Sequence, residues 1–505
     1  MEIRVRHGAL LGALLAGVTL GSVAAADDEP VTTVYVVRHA EKAQSAANPR
    51  DPMLSERGAA QAADLRDLLA GTDVVAVYST PYLRTLGTAA PTAGTAGLTT
   101  IRYRPGALGK PDGLPSRTEL LSNYRGSSVL VVGHSNTTPR IVAHLGGPEG
   151  IEIAEDEYDN LFVVELRGEE TRVRRHRYGP LLVTRRIEVE GESDADVSAV
   201  TVVGKRLLVC SDEGTALREW NPAESGYVAG ATLALEVDRK GVTELDLEGL
   251  ATDGQFVYAV GSHSLVRRTA RERERSGKPE TYSDNQRRLS TVRHGGKDER
   301  DRVFRIPIDD VGQARADLAL SLDLRELLAD DPFLGRSTEI PSKENGLDIE
   351  GLAVGEGELL LGLRGPVLRG NLTPVVRLRT DEDFERVKSH EVHFLDLAGD
   401  GVRDLVRCSS GYLVLAGPVG DAPHASRVYH WDGEDMLPGV RDEDDTSHRR
   451  GRLTLLGTIP TIAGAAPEGL TVLRETDAEF VLLTVYDGAP GGAPTELRVR
   501  RLPGL

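Results

Sequence analysis

The sequence predicts an α/β three-layer domain followed by an all-β domain, most simply a β-propeller. Three observations predict it. From Val31 to about Pro180 apolar strand-like runs alternate with stretches of helical spacing, the pattern of a layered α/β fold with a mostly parallel sheet. Past Pro180 helical periodicity nearly vanishes, and short apolar runs recur between Gly- and Asp-rich turns. Within that second region one fragment repeats: Leu245-Asp246-Leu247-Glu248-Gly249-Leu250-Ala251 returns as Leu347-Asp348-Ile349-Glu350-Gly351-Leu352-Ala353, and more weakly as Pro467-Glu468-Gly469-Leu470-Thr471. Repeated short-strand units favour a propeller over a sandwich.

A chain of 505 residues is long enough for two or three domains. The division expected is a leader over 1–26, an α/β domain over 31–180 and the β-rich domain over 190–505. Arg4, Arg6 and His7 precede an apolar run from Gly8 to Val23, and Ala24-Ala25-Ala26 precede the acidic Asp27-Asp28-Glu29. Basic start, short apolar run and small-residue end are the marks of a secretory signal, so a periplasmic or secreted protein is expected, with no membrane insertion once the leader is removed. Cys210 and Cys408 are the only cysteines; export would permit a disulfide between them, but both sit in apolar strand-like runs, for which two buried free thiols are the better reading. A net charge of −18 argues against nucleic acid or anionic lipid as partners.

In the first domain Val34–Val37, Val74–Tyr78 and Val129–Val132 read as strands. Leu161–Leu166 and Arg172–Tyr178 read as two more, joined at Gly168. Ser55–Leu69, with Ser55 as N-cap, Leu83–Ala96, Thr118–Tyr124 and Thr138–Leu145 read as helices. Arg267–Arg305 interleaves acids and bases, as a solvated insertion does.

Three segments follow strand ends: Arg38-His39-Ala40-Glu41, Tyr78-Ser79-Thr80-Pro81-Tyr82-Leu83-Arg84-Thr85 and Gly133-His134-Ser135-Asn136. Ligands gather at the carboxyl ends of such strands. Arginine forks match phosphate oxygens and stay charged at any pH. Neighbouring cations keep an imidazole neutral, as a nucleophile must be. This set of residue types therefore suits phosphoryl transfer. The first domain offers no His/Asp/Glu cluster of metal-ligand spacing, and no cofactor is expected.

With Leu54-Ser55-x-x-Gly58-x-x-Gln61-Ala62 added to these segments, the stretch from Val34 to about Tyr178 resembles the histidine phosphatase superfamily, with the phosphoglycerate mutase-like fold. The resemblance implies His39 as the phosphorylated nucleophile and Arg38, Arg84 and His134 as the phosphate pocket. It implies a small phosphorylated substrate as the partner. The Glu-x-x-x-Gly-like segment of the mutase branch is missing between Tyr103 and Thr118, which disfavours a mutase. Three carboxyl groups are then candidates for the proton donor: Glu41, Asp112 in Pro111-Asp112-Gly113, and Glu119. Glu41 is preferred because it lies two residues from His39. A non-catalytic module that senses or holds a phosphorylated ligand is the rival to an enzyme.

The second domain resembles a family of exported β-rich domains of unknown function through Gly261-Ser262-His263-Ser264, the Glu350-Gly351-Leu352 unit and Leu361-Gly362-Leu363-Arg364-Gly365-Pro366-Val367-Leu368. It has a looser likeness to phytase-like and esterase-like propellers, and would bind substrate or a partner. Asp246 with Glu248, and Asp348 with Glu350, are spaced to share a strand face. Facing a channel, they could hold Ca²⁺; the stronger reading is that they accept backbone hydrogen bonds.

Overall fold

The computed structural model describes residues 30–44, 48–105, 113–191, 196–237, 240–273, 277–293, 299–422, 424–437 and 450–502. The leader and Asp112 lie outside them. Among the described residues no helix is long and apolar enough to cross a membrane.

The N-terminal domain is a six-stranded sheet between two helical layers. Its elements are β1 Thr32–Arg38, α1 Glu56–Leu69, β2 Val74–Ser79, α2 Leu83–Thr95, β3 Ile101–Arg102, α3 Arg117–Asn123, β4 Ser128–Gly133, α4 Thr138–His144, β5 Asn160–Arg167 and β6 Glu170–Arg177. The sheet order is β3-β2-β4-β1-β5-β6. Alternation along the strands feeds two cores. Val34 and Val36 pack with Ile141, Val142 and Leu145 at α4 and with Leu120 of α3. Val37 packs with Leu65 and Leu69 of α1 and Ala89 and Ala93 of α2. Ser55 caps α1 as expected, its hydroxyl accepting from the Gly58 amide. Gly58 is required for another reason: a Cβ there would lie 2.0 Å from the Glu41 carbonyl, so the loop after His39 can lie against α1 only over a glycine.

The second domain is a five-bladed propeller. The inner strands are Ala199–Val203, Leu247–Thr252, Asp348–Val354, Gly401–Cys408 and Ala466–Glu475. Segments of all five line one small axial cavity, through Val200, Leu250, Leu352, Leu405 and Leu470. The ring closes by an exchange. The outermost strand of blade 5 is β7, Leu182–Arg186, which pairs with Thr495–Arg500, and β8, Glu188–Glu190, adds to blade 1. The propeller therefore begins at Leu182, earlier than the residue 190 that the change of sequence texture suggests. What reads as a linker is sheet.

Each Glu-Gly-Leu unit has a geometric reason. Register shifts by one residue at Glu248, at Glu350 and at Glu468, and also at Arg403 in blade 4. Such bulges re-aim one side chain per strand. The following glycine admits the neighbouring blade: a Cβ on Gly249 would lie 3.0 Å from the Glu350 carbonyl, and one on Gly469 would lie 3.0 Å from Ala199. Blade 4 has Asp404 instead, whose carboxylate accepts from the amides of Leu405 and Leu470. The Arg267–Arg305 insertion lies in blade 2. It carries a helix, Tyr282–Leu289, that buries no residue, as a solvated element should. Cys210 and Cys408 are buried free thiols.

The two domains are joined by hydrogen bonds. Around Gly179–Leu181 the chain exchanges backbone bonds with Thr458, whose hydroxyl also reaches Asp64 of α1. The Leu455 amide donates to Nδ1 of His176 on β6.

Candidate active site

Parallel pairing creates the site. Arg38 at the end of β1 is level with Gly133 at the end of β4, and Ser79 at the end of β2 is level with Val132. The residues that come next, His39, His134 and Thr80, therefore meet at one edge of the sheet.

His39 is 4% exposed. Its Nδ1 lies 2.8 Å from the Ala40 carbonyl, an acceptor only, so Nδ1 carries the proton and Nε2 keeps a free lone pair. Burial lowers the pKa of His39 to about 3, helped by His134, Arg38 and Arg84 and opposed by the Ala40 bond. The imidazole is neutral at any ordinary pH. The His134 ring stands edge-on to it with centroids 5.4 Å apart. Tyr158 stands 5.7 Å from His39, and Tyr82 stands 5.2 Å from His134.

His134 is lowered to about 4 by burial, then by Arg84 and Arg38. Its Nε2 lies 2.9 Å from the Thr80 hydroxyl, which lies 2.8 Å from the Thr85 hydroxyl. Thr85 is within 2.9 Å of two carbonyls, those of Thr80 and Tyr82, and spends its one proton on them. Proton counting then makes Thr80 donate to Thr85 and His134 Nε2 donate to Thr80. Nδ1 of His134 is left as the nitrogen able to take a proton when an anion arrives.

The two arginines differ. Arg84, at the start of α2, lies 3.4 Å from Asp51 and stacks on Tyr82. Asp51 also accepts from the Leu83 amide, which fixes the turn into α2. Arg38 is 2% exposed and turned away from a simple clamp. Its terminal nitrogens donate to the carbonyls of Ala154, Glu155 and Glu157, at 2.6 to 3.0 Å, and its guanidinium lies 4.2 Å from the Tyr158 ring. Only Nε lacks a partner. Arg38 thus builds the 154–158 loop, and its Nε is the nitrogen left without a partner. Arg177 holds the same loop through Glu157 and Asp159.

Glu41 points elsewhere. Its carboxylate accepts from the Ser55 hydroxyl at 2.7 Å and from Arg57 at 3.2 Å. This ties it to the start of α1. Glu119 caps α3 through a capping box with Ser116. Sequence reasoning missed Asp51, Tyr158 and the carbonyls that hold Arg38; all lie in irregular segments without a periodic signal. Thr80 and Thr85 stand within the quoted Ser79–Thr85 segment.

A family model of the histidine phosphatase superfamily (branch 1) matches residues 34–106, which include Arg38, His39 and Arg84; His134 lies beyond it. The first domain is a histidine phosphatase superfamily domain. The family model of a protein of unknown function (DUF3616) matches residues 196–498, more than half of the chain. The chain belongs to the DUF3616 family. No curated protein matches it. Among solved structures it is similar to YhfR of Bacillus stearothermophilus, at 18% identity over 28% of this chain and 95% of that one, with a TM-score of 0.22. It is also similar to the protein histidine phosphatase SixA complexed with tungstate, at 19% identity over 28% and 94%, TM-score 0.22. A phosphoglycerate mutase from Bacillus anthracis str. Sterne aligns at 17% identity over 29% and 93%, TM-score 0.20.

Among the described residues no group of His, Cys, Asp and Glu is arranged to hold a metal ion. The carboxylates considered for Ca²⁺ are largely matched by arginines: Asp246 by Arg300, and Asp348 and Glu350 by Arg364.

Proposed function

We propose that this chain is an exported phosphomonoesterase that works through a phosphohistidine on Nε2 of His39. The observation that carries the reading is the Ala40 bond. It fixes the tautomer and leaves the nucleophilic lone pair open in a buried, cation-rich pocket. Nε2 attacks phosphorus as the bond to the leaving oxygen breaks, and the alcohol departs with a proton from an acid. Water then attacks the phosphorus of the phosphoryl-His39 and releases phosphate, returning the nitrogen lone pair. Arg84, the Nε of Arg38 and His134 offset the anionic charge through both steps. The dianion favours a proton on Nδ1 of His134, which is neutral in the empty pocket.

Glu41 serves here by holding the His39 loop against α1, because Ser55 and Arg57 already engage its carboxylate. The same observation gives weight to the rival reading, a module that binds a phosphorylated ligand without turnover. Rapid quenching of the full-length protein with ³²P-labelled phosphate ester separates the two. A phosphatase yields an acid-labile, base-stable label that His39→Ala lacks. A binder yields none, and unchanged hydrolysis by His39→Ala overturns the mechanism. Export rests on the composition of residues 1–26. The N-terminal mass of the mature protein tests it, with a start near Asp27 expected.

A further inference from the structure

The far end of the sheet carries a second cation-rich place. A cleft of about 630 Å³ opens between β6 and the outermost strand of blade 4, Leu453–Thr458. Arg167, Arg172, Arg174 and Arg175 line it from the first domain, with Glu165 and Glu170 between them, and Arg450 and Arg452 line it from the propeller, so that cations outnumber carboxylates six to two. Val31 lines it too, at the start of β1. His39 follows the other end of that strand, eight residues on and about 26 Å away at 3.3 Å per residue. The cleft is therefore separate from the phosphate pocket.

Not all six guanidinium groups are available. Arg175 stacks on Phe162 and donates to Asn160 and the Glu152 carbonyl, and Arg167 is engaged as well. Arg172, Arg174 and Arg452 are held more weakly. Arg172 pairs with Glu170 at 2.9 Å, Arg174 with Glu165 at 2.6 Å and Arg452 with Asp432 at 3.4 Å. Each of these arginines is at least half exposed, with side-chain accessibilities of 65%, 51% and 56%. Pairs of that kind contribute about 0–1 kcal/mol and exchange readily for a better anion. Two domains thus bring like charge to one crevice in a chain whose net charge is −18. The mutual repulsion falls when an anion lies between the walls. Guanidinium forks favour oxyanions with paired oxygens, and a cavity of this size admits a nucleotide-sized ligand.

We propose that this interdomain cleft binds a small, multiply charged oxyanion of the polyphosphate class, bridging Arg172 and Arg174 of β6 to Arg450 and Arg452 of blade 4. The site is non-catalytic and clamps the two domains together.

The test is calorimetric titration of the full-length protein with myo-inositol hexasulfate, a polyanion whose sulfate esters are not phosphatase substrates. The expected result is binding that weakens at least about tenfold in Arg172→Ala/Arg452→Ala, one lost charge-assisted contact sufficing for that factor. Arg84→Ala should bind as the unaltered protein does, and hydrolysis of p-nitrophenyl phosphate should be unchanged in the double variant. Glu165→Gln releases Arg174 and should tighten binding about threefold, and this variant keeps the test open if the double variant fails to fold. Absence of binding overturns the proposal. Equal affinity in the double variant, no gain in Glu165→Gln, or loss confined to Arg84→Ala overturns it as well.

Discussion

His39 and Glu350 are both buried, at 4% and 3% exposure, near strand ends in neighbouring domains, yet their surroundings are opposite. The His39 ring makes one hydrogen bond and keeps Nε2 open beside Arg84 and Arg38, whose carboxylate partners stand off at 3.4 and 3.7 Å. Glu350 is matched in charge on both sides: Arg364 donates to one oxygen at 2.7 Å, Arg403 stands 2.9 Å from the other, and Arg403 continues to Glu468 of the next blade. Charge left unmatched marks a place built for a ligand. Charge matched from blade to blade marks architecture. The same propeller axis that invites a metal reading is, by this measure, mostly a structural network. The contrast predicts that damage to the pocket costs chemistry, whereas damage to the axis costs stability.

The largest effect expected is on the pocket side. His39→Ala should lower turnover of p-nitrophenyl phosphate at least about 10³-fold, the order seen when a nucleophile is removed. Its melting temperature should shift by only a few degrees, because His39 contributes no ion pair to the fold. A collapse of stability in that variant would break the contrast. Next comes Arg403→Met. It leaves Glu350 and Glu468 without their shared partner, and loss of one member of a buried pair costs about 3–5 kcal/mol. Thermal unfolding should register that loss, while the phosphatase rate below the transition should stay within about twofold. A rate that falls in step with stability would mean that the axis feeds the active site.

The pH dependence should divide the same way. Burial lowers His39 to about 3, and His134 and His176 to about 4. All three lie below the ordinary value of 6.5, so the fold binds fewer protons than the unfolded chain. Their contribution is complete above pH 6.5 and is lost as pH falls toward 4. On the axis the sign reverses. Burial and the nearby carboxylates Asp246, Asp487 and Asp196 raise Asp212 to about 6, and burial raises Glu248 and Asp348 as well. That contribution is complete below the ordinary carboxylate range and is lost as pH rises through 6. Hydrogen exchange read by mass spectrometry, corrected for intrinsic rate, should therefore show β1 and β4 less protected at pH 5 than at pH 7. Peptides spanning 206–213 and 245–252 should change in the opposite sense, by about 1–2 kcal/mol. Parallel changes in both domains would end the comparison.

Much of this was readable from the residues, for physical reasons. β1, β2 and β4 are unbroken apolar runs because helices cover both faces, and the segments after them carry the pocket because parallel strands end together. The propeller showed itself through Glu-Gly-Leu because a bulge followed by a close interblade approach needs a charged residue and then a glycine. It showed itself in only three of five blades. Asp404 replaces the glycine in blade 4 and bonds the neighbouring amides, and in blade 1 Ala199 stands against Gly469. The boundary was misplaced because β7 is short and mostly exposed, and only its pairing with Thr495–Arg500, over 300 residues away, makes it propeller. The direction of Arg38 was unreadable for the same reason, since its partners are carbonyls 116 to 119 residues distant.

The smallest effect expected concerns Glu41, where nearness in sequence and direction in space disagree. Two residues from the nucleophile, it is the natural choice to protonate an alkoxide leaving group. Its oxygens, however, accept from Ser55 and Arg57, and its backbone carbonyl packs over Gly58. A carboxylate so placed orients the loop that carries His39. Glu41→Gln keeps an oxygen for Ser55 and loses only a partly exposed ion pair, a cost under about 1 kcal/mol. Orientation does not depend on the leaving group. An alkyl phosphate and p-nitrophenyl phosphate should therefore slow by the same small factor, about twofold to fivefold in kcat/KM, which corresponds to about 0.4–1 kcal/mol. A proton donor behaves differently, because p-nitrophenolate departs with little help and an alkoxide does not. If Glu41→Gln slows the alkyl ester a hundredfold and spares the aryl ester, then the side chain leaves Ser55 and Arg57 during turnover and delivers the proton itself.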